Sequence, residues 1–453
     1  MSKRQLSLNA FILPTGHHIA AWRRPDVPAH SNHDFQEYVR VARAAEAAAF
    51  DAVFISDSVA AASGNGGASL EQLSLTARGT RLEPFTLLSA LAAVTERIGL
   101  IGTVSTTYNE PYHLARKFAS LDWISNGRAG WNLVTSSAPA EALNFNQDAL
   151  PDHGERYQRA EEFLDVVKGL WDSWEDDAFI EDKASGNFFD PARLHPLNHQ
   201  GKHFRVQGPL NVARSPQGYP VLVQAGSSEA GKEIAARGAE AIFTAHQTLE
   251  SAQAFYADVK GRLARYGRRP EELKILPGIF PVIGATEEEA QAKYRQLQEL
   301  IDPRVGVNLL SGLVGFDLSG YDIDGPLPPL PLTNQNRSRQ ALVQELAQRE
   351  NLSIRELYLR VAGARGHWTV VGTPTQVADQ IQQWFENGAA DGFNVLAPWL
   401  PGGLDEFIDT VVPELRRRGL FREAYTGTTL REHLGLERPE NQYVLAREQR
   451  AAG

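Results

Sequence analysis

Along the chain, short apolar and β-branched runs alternate with longer stretches whose apolar residues recur at helical spacing, the pattern of βα units around a parallel sheet. Residues 6–13 and 52–56 read as the first two strands, with an Ala-rich helix over 34–49 between them. Helix 85–95, strand 98–103, helix 111–124 and strand 130–135 continue the alternation. Pro111 stands at a helix start, where its missing N–H costs nothing. Over 154–171, Tyr157, Phe163, Leu164, Val167 and Leu170 recur at helical spacing and predict one buried face. Strands 220–224, 241–244 and 273–283 alternate with helices 228–238 and 249–266. Helix 375–387 and strand 392–397 supply an eighth unit, followed by a closing helix over 404–417 and a tail expected to wrap the surface.

Three stretches break the pattern. Residues 63–79 are rich in Gly, Ser and Ala and read as a long loop after strand two. Residues 172–218 are punctuated by Pro, Asn, His and Gly and form an excursion. Residues 302–363, with the run Gly325-Pro-Leu-Pro-Pro-Leu-Pro, are too long for a connection and predict a partly helical lid. The fold class is therefore α/β, a (β/α)₈ TIM barrel with insertions, expected to occupy 1–453 as one unit with its functional loops at the strands' carboxyl ends.

Composition narrows the partners. The 453 residues carry a formal charge of −10, which disfavours nucleic acid and anionic membrane, both of which need clustered cations. The basic run Arg416-Arg417-Arg418 suits a helix C-terminus. No stretch approaches the roughly 20 apolar residues of a membrane span, nor does the amino terminus show a signal core, so the expectation is cytoplasmic. With no cysteine, disulfides, thiolate nucleophiles and thiolate metal sites are excluded. Met1 is the sole methionine. Such poverty in sulfur fits protection from oxidants, sulfur economy, or compositional drift in a GC-rich genome.

At the expected carboxyl ends of strands lie His17, His18, Asp57, Thr103, Asn132, His153, Tyr157, Ser227 and Ser228. The segment Val223-Gln-Ala-Gly-Ser-Ser-Glu-Ala-Gly runs from strand to helix through small residues, so the free N–H groups of the helix start and two hydroxyls can hold a phosphate without a lysine. Ser228 equally serves as an ordinary N-cap. His153 and Tyr157 share one helix face, with Arg156 on another. Asp57 equally caps the loop after strand two. A buried amide at Asn132 on a central strand needs partners. A histidine pair without a third ligand does not argue for a metal.

These positions, with Pro111-Tyr-His-Leu-Ala-Arg and Leu121-Asp-Trp-Ile-Ser-Asn-Gly-Arg-Ala-Gly-Trp-Asn-Leu-Val-Thr-Ser, resemble the bacterial-luciferase-like flavin monooxygenases, in the nitrilotriacetate and dibenzothiophene-sulfone monooxygenase branch. Gly16-His-His-Ile-Ala-Ala-Trp-Arg, Asn387-Gly-Ala-Ala-Asp-Gly-Phe and Thr429-Leu-Arg-Glu-His-Leu-Gly match family patterns as well. The resemblance implies FMN, used as FMNH₂ with O₂, held by Asp57, Thr103, Asn132, His153, Tyr157, Ser227 and Ser228, with the two serines at the phosphate. It puts His17 and His18 near the reacting face as catalytic candidates. It also implies a separate NAD(P)H:flavin reductase, and a homodimer or homotetramer. No Gly-x-Gly-x-x-Gly marks a nicotinamide domain; Gly64-Asn-Gly-Gly lies in a loop. Within the branch, the sulfur-poor composition favours C–S cleavage of a small organosulfur compound. The alternatives are C–N cleavage of an aminopolycarboxylate, a deazaflavin-dependent hydride transfer, and a non-catalytic flavin-binding barrel.

Overall fold

The computed structural model describes residues 4–61 and 69–452. Among these, nine parallel strands form one sheet: β1 (Ser7–Ile12), β2 (Ala52–Ile55), β3 (Gly99–Ser105), β4 (Ala129–Val134), β5 (Val221–Gln224), β6 (Ala241–Thr244), β7 (Lys274–Ile283), β8 (Trp368–Gly372) and β9 (Gly392–Val395). Eight of them close a ring in the order β6-β5-β4-β3-β2-β1-β9-β7, with β7 returning to β6, and the fold is a TIM barrel. The helical crossovers cover the outside, so the strands are buried on both faces and read as continuous apolar runs. In β2, for example, Ala52 and Phe54 point into the barrel while Val53 and Ile55 join the layer beneath the helices.

Helix starts follow local chemistry. Asp34, Ser228, Thr286 and Asn336 cap their helices through side-chain oxygens, and Thr373 does so in a reciprocal box with Gln376. Among the elements that escape the sequence reading are a helix and a strand. Helix Glu287–Glu299 buries only Ala290 and Leu297, too thin an apolar stripe to show a period. Strand β8 pairs only with the upper half of β7 and stands outside the eight-strand ring.

The remaining expectations are refined. Of the expected loop at 63–79, residues 63–68 lie outside the described residues, and the rest contains a short capped helix, Leu70–Ser74. The excursion at 172–218 holds two small hairpins. The closing helix runs over 402–417 with a π-turn at Phe407–Val411, just before Pro413, whose nitrogen cannot donate to the ladder. Nor does the tail simply wrap the surface. Leu430, fully buried, plugs the barrel from below against Gly99 and Gly130, beside a buried Arg431–Glu240 ion pair.

The region 302–363 is a helical cover of Pro303–Val314, Arg337–Glu350 and Ile354–Val361. Its apolar core extends onto Ile19 and Ala20 in the loop after β1, so the cover sits over the carboxyl end of the barrel. No helix among the described residues is long and apolar enough to cross a membrane.

Candidate active site

Two cavities open at the carboxyl ends of the strands and meet along Asp57, Ser58, Ser137 and Asn336. The first, of about 290 Å³, is polar. Its floor carries Thr103 and its far wall the strand-to-helix turn 224–228, faced by His153 and Tyr157. The main-chain N–H of Gly226 donates to the Gln224 side chain at 2.9 Å, which folds the turn back on its own strand. A Cβ on Gly226 would meet that Gln224 side chain at 2.4 Å and the Tyr157 hydroxyl at 3.3 Å, so glycine keeps the cradle open. Ser228 caps helix Glu229–Gly238, accepting from Gly231 N at 3.2 Å, and its hydroxyl lies 3.3 Å from that of Tyr157. The Ser227 hydroxyl lies 3.0 Å from that of Thr244. Tyr157 and His153 pack ring to ring at 4.6 Å. Burial, then Arg156 and Arg337, hold His153 below the usual imidazole range, hence neutral.

Asn132 sits inside the barrel beside Thr103, to whose hydroxyl its amide donates at 2.9 Å. Its carbonyl oxygen is buried and has no hydrogen-bond partner. Such an acceptor costs about 1–3 kcal/mol unless something supplies a donor. Asp57 bridges both cavities, and burial pushes its carboxyl up to about 6.

That shift has a testable consequence for stability. Below the ordinary carboxyl range both folded and unfolded chains carry the proton. Between about 4 and 6 only the folded chain does, so stability falls as pH rises and the loss is complete above 6. Asp57→Asn removes this loss. In the flavin-free chain it should stabilise by roughly 1–3 kcal/mol at pH 7, with the gain vanishing near pH 4. Paired denaturant titrations at the two pH values check it; an equal effect at both would show that ionisation is not the cause.

The second cavity, of about 400 Å³, lies beneath the lid. Gly16, at φ +105°, lets the loop after β1 press against the backbone of Pro398 and Trp399, where a Cβ would stand 2.3 Å from Trp399 Cα. That turn separates the histidine pair. His17 lines the cavity. Its Nε2 donates to the Phe11 carbonyl at 2.9 Å, so Nδ1 is left as the acceptor. Burial, then Arg365, keep its pKa far below the normal value, and the ring is a neutral acceptor or base rather than a cationic acid. His18 is buried behind it and lines neither cavity. Its Nδ1 accepts from Ala20 N, and burial lowers its pKa to about 3.

The structure also brings in residues that sequence reasoning did not single out. Arg156, read as lying on another helix face, lines the first cavity and donates to the Pro151 and Asn334 carbonyls. Asn336 and Arg337, at the start of a lid helix, reach the same cavity. Glu141 accepts from Ser58 Oγ and Val59 N at 3.0 and 3.1 Å and fixes the loop after β2. His367 faces the second cavity, stacked on Phe243 at 4.7 Å. It donates through Nδ1 to the Thr244 carbonyl and accepts at Nε2 from Arg339. The signal for the lid residues was the polar run Asn334-Gln-Asn-Arg-Ser-Arg at a helix start.

Comparison with known proteins decides the family. The luciferase-like monooxygenase model matches residues 15–391, most of the chain. The chain belongs to the luciferase-like monooxygenase family. Within this family, it is 54% identical over 445 residues to N-acetyl-S-(2-succino)cysteine monooxygenase of Bacillus subtilis (strain 168), covering 98% of this chain and 99% of that one. It is 52% identical to nitrilotriacetate monooxygenase component A of Aminobacter aminovorans, over 97% and 98% of the two chains. Among solved structures, riboflavin lyase RcaE, crystallised with modified FMN and riboflavin, superposes with a TM-score of 0.87 at 33% identity, covering 96% of this chain and 97% of that one. This luciferase-like protein is thus a flavin-dependent monooxygenase acting on a small organic substrate.

Proposed function

We propose that this chain uses FMNH₂, supplied by a separate NAD(P)H:flavin reductase, and O₂ to hydroxylate carbon next to sulfur in a small organosulfur compound, so that the C–S bond then breaks. The observation that carries this reading is the pair of joined cavities, one polar and ending at the strand-to-helix turn 224–228, the other lined by apolar and cationic side chains under a lid. The first fits a flavin mononucleotide. Asn132, which lines neither cavity but bonds Thr103 on the floor of the first, offers a buried carbonyl oxygen that lacks a donor, and Gly226 keeps open a turn that a Cβ would fill. In this reading Ser227, Ser228, Tyr157 and His153 hold the phosphate end, with Arg337 nearby, while Asp57, Thr103 and Asn132 hold the ring.

Bound FMNH₂ supplies the two electrons that activate O₂. With that supply, one oxygen atom would enter a substrate C–H bond and the other would leave as water. The chain's own part is to bind, orient and keep water out, which the lid does by covering the barrel mouth. Neutral His17, its Nδ1 free toward the second cavity, can accept a hydrogen bond or proton from substrate. His18 acts through the position of the loop.

The scarcity of sulfur in the chain and the name of the Bacillus relative favour C–S cleavage. The 52% identity to a nitrilotriacetate monooxygenase component supports a second reading, C–N cleavage, and the word component fits a separate reductase. Mass spectrometry of products from a panel of thioethers and tertiary amines, with FMN, NADH and a generic flavin reductase, separates the two. Release of a thiol is expected. Release of an amine alone sinks the C–S reading, and turnover with a reduced deazaflavin but not FMNH₂ sinks both.

A further inference from the structure

Four arginines face the second cavity, Arg78, Arg81, Arg339 and Arg365, against one carboxylate, Asp57. None of the four is ion-paired within the described residues, although ion pairs elsewhere engage many of the chain's other arginines. Residues 62–68 contain no Asp or Glu that could supply a partner. In a protein of net charge −10 this concentration of unpaired cations is against the average.

Two of the arginines, Arg78 and Arg339, are held in place against the mutual repulsion by neutral acceptors. Arg78 donates to the carbonyls of Gly16 and His17 at 2.6 and 3.2 Å. Arg339 donates to the Arg365 carbonyl and to the His367 ring, both at 2.8 Å. Arg365 sits in the left-handed region at φ +50°, uncommon for a residue other than glycine, and its buried Nε has no partner. Burial, then the neighbouring guanidinium, push Arg339 and Arg365 down to about 10, so both stay charged at neutral pH. Buried like charges without counter-ions destabilise a fold, and a chain that keeps them has a ligand to neutralise them.

We infer that the substrate is a small molecule bearing two or more carboxylates, gripped by Arg78, Arg81, Arg339 and Arg365 between the barrel mouth and the lid. The inference rests on the flavin reading only for where oxidation takes place. Guanidinium forks match carboxylates in bidentate geometry, and the apolar walls at Phe11 and Phe243 suit the carbon skeleton between them. The clamp serves a C–S or a C–N substrate equally, because it reads the ends of the molecule and not the bond that breaks.

Calorimetry on the full chain with saturating FMN tests this, with propane-1,2,3-tricarboxylate and its trimethyl ester as probes. The acid should bind at least 100-fold more tightly than the ester. Arg365→Gln and Arg339→Gln should each weaken the acid at least tenfold while leaving FMN affinity unchanged. Arg81→Gln, whose side chain makes no hydrogen bond within the described protein, should do the same without risk to folding. Without ligand, Arg365→Gln should melt no lower than the parent, since it removes a repelling charge. Equal binding of acid and ester, no binding of either, or variants that weaken FMN and not the acid would each overturn the clamp. Binding of the acid by a chain that fails to bind FMN would instead overturn the flavin reading and leave the clamp standing.

Discussion

Replacing Ser227 and Ser228 together by alanine is expected to weaken FMN binding by about 10²- to 10⁴-fold. A hydrogen bond to a charged group contributes about 1.5–3 kcal/mol, or roughly 10- to 150-fold in affinity, and the double variant removes two of them. The single variants should differ in an informative way. Among the described residues the Ser227 hydroxyl bonds only that of Thr244, so Ser227→Ala should lower affinity with little loss of stability. Ser228 also caps helix Glu229–Gly238, so Ser228→Ala should lose affinity and, in addition, about 1 kcal/mol of stability. Fluorescence titration of FMN and thermal melts of the same samples separate the two effects. A double variant that binds FMN within threefold of the parent would falsify the phosphate site.

Leu430→Ala should destabilise the fold by about 3–5 kcal/mol, a large share of the total for a marginally stable domain. The side chain is wholly buried at the base of the barrel. It occupies space that only glycines at 99 and 130 leave free, since a Cβ on either would stand 2.5 or 3.1 Å from its methyl carbons. Three strands that would have to close in, β2, β3 and β4, are fixed by their ladder, so the cavity cannot collapse. Because the plug lies at the end of the barrel opposite the 224–228 turn, FMN affinity should be unchanged. Denaturant unfolding that shows a loss below about 1 kcal/mol would mean the tail is a surface wrap after all.

Much of the barrel is legible because a parallel strand buried on both faces has no choice but to be apolar. Runs such as Ala52–Ile55 and Val221–Gln224 therefore announce themselves, and Pro111–Ile124 is bounded by its own proline start. The signal fails where burial is slight or pairing late. Helix Glu287–Glu299 is mostly exposed, and β8 joins only the outer half of one long strand. The plug at Leu430 was hidden for a different reason. A short amphipathic helix looks the same whether its apolar side meets the flank of a barrel or its open end.

The candidate site divides in the same way. Side chains at strand ends and helix starts, among them Thr103, Asn132, Tyr157, Ser227 and Ser228, could be nominated from the linear order, since a barrel sends all its carboxyl ends to one face. The histidine pair could not be resolved, because adjacent residues share a position in sequence while the turn at Gly16 sends one into the cavity and the other behind it. What the sequence by itself determined is the barrel, the order of its strands and the polar side chains at its rim, all set by local periodicity and by motifs only a few residues long. What the tertiary structure alone decided is the charge of the second cavity. Arg78, Arg81, Arg339 and Arg365 come from a loop after β2, a lid helix and the turn before β8, and no local pattern links them. They meet because the lid buries its apolar face on the barrel mouth, and the energy of that burial is what holds four like charges around one space.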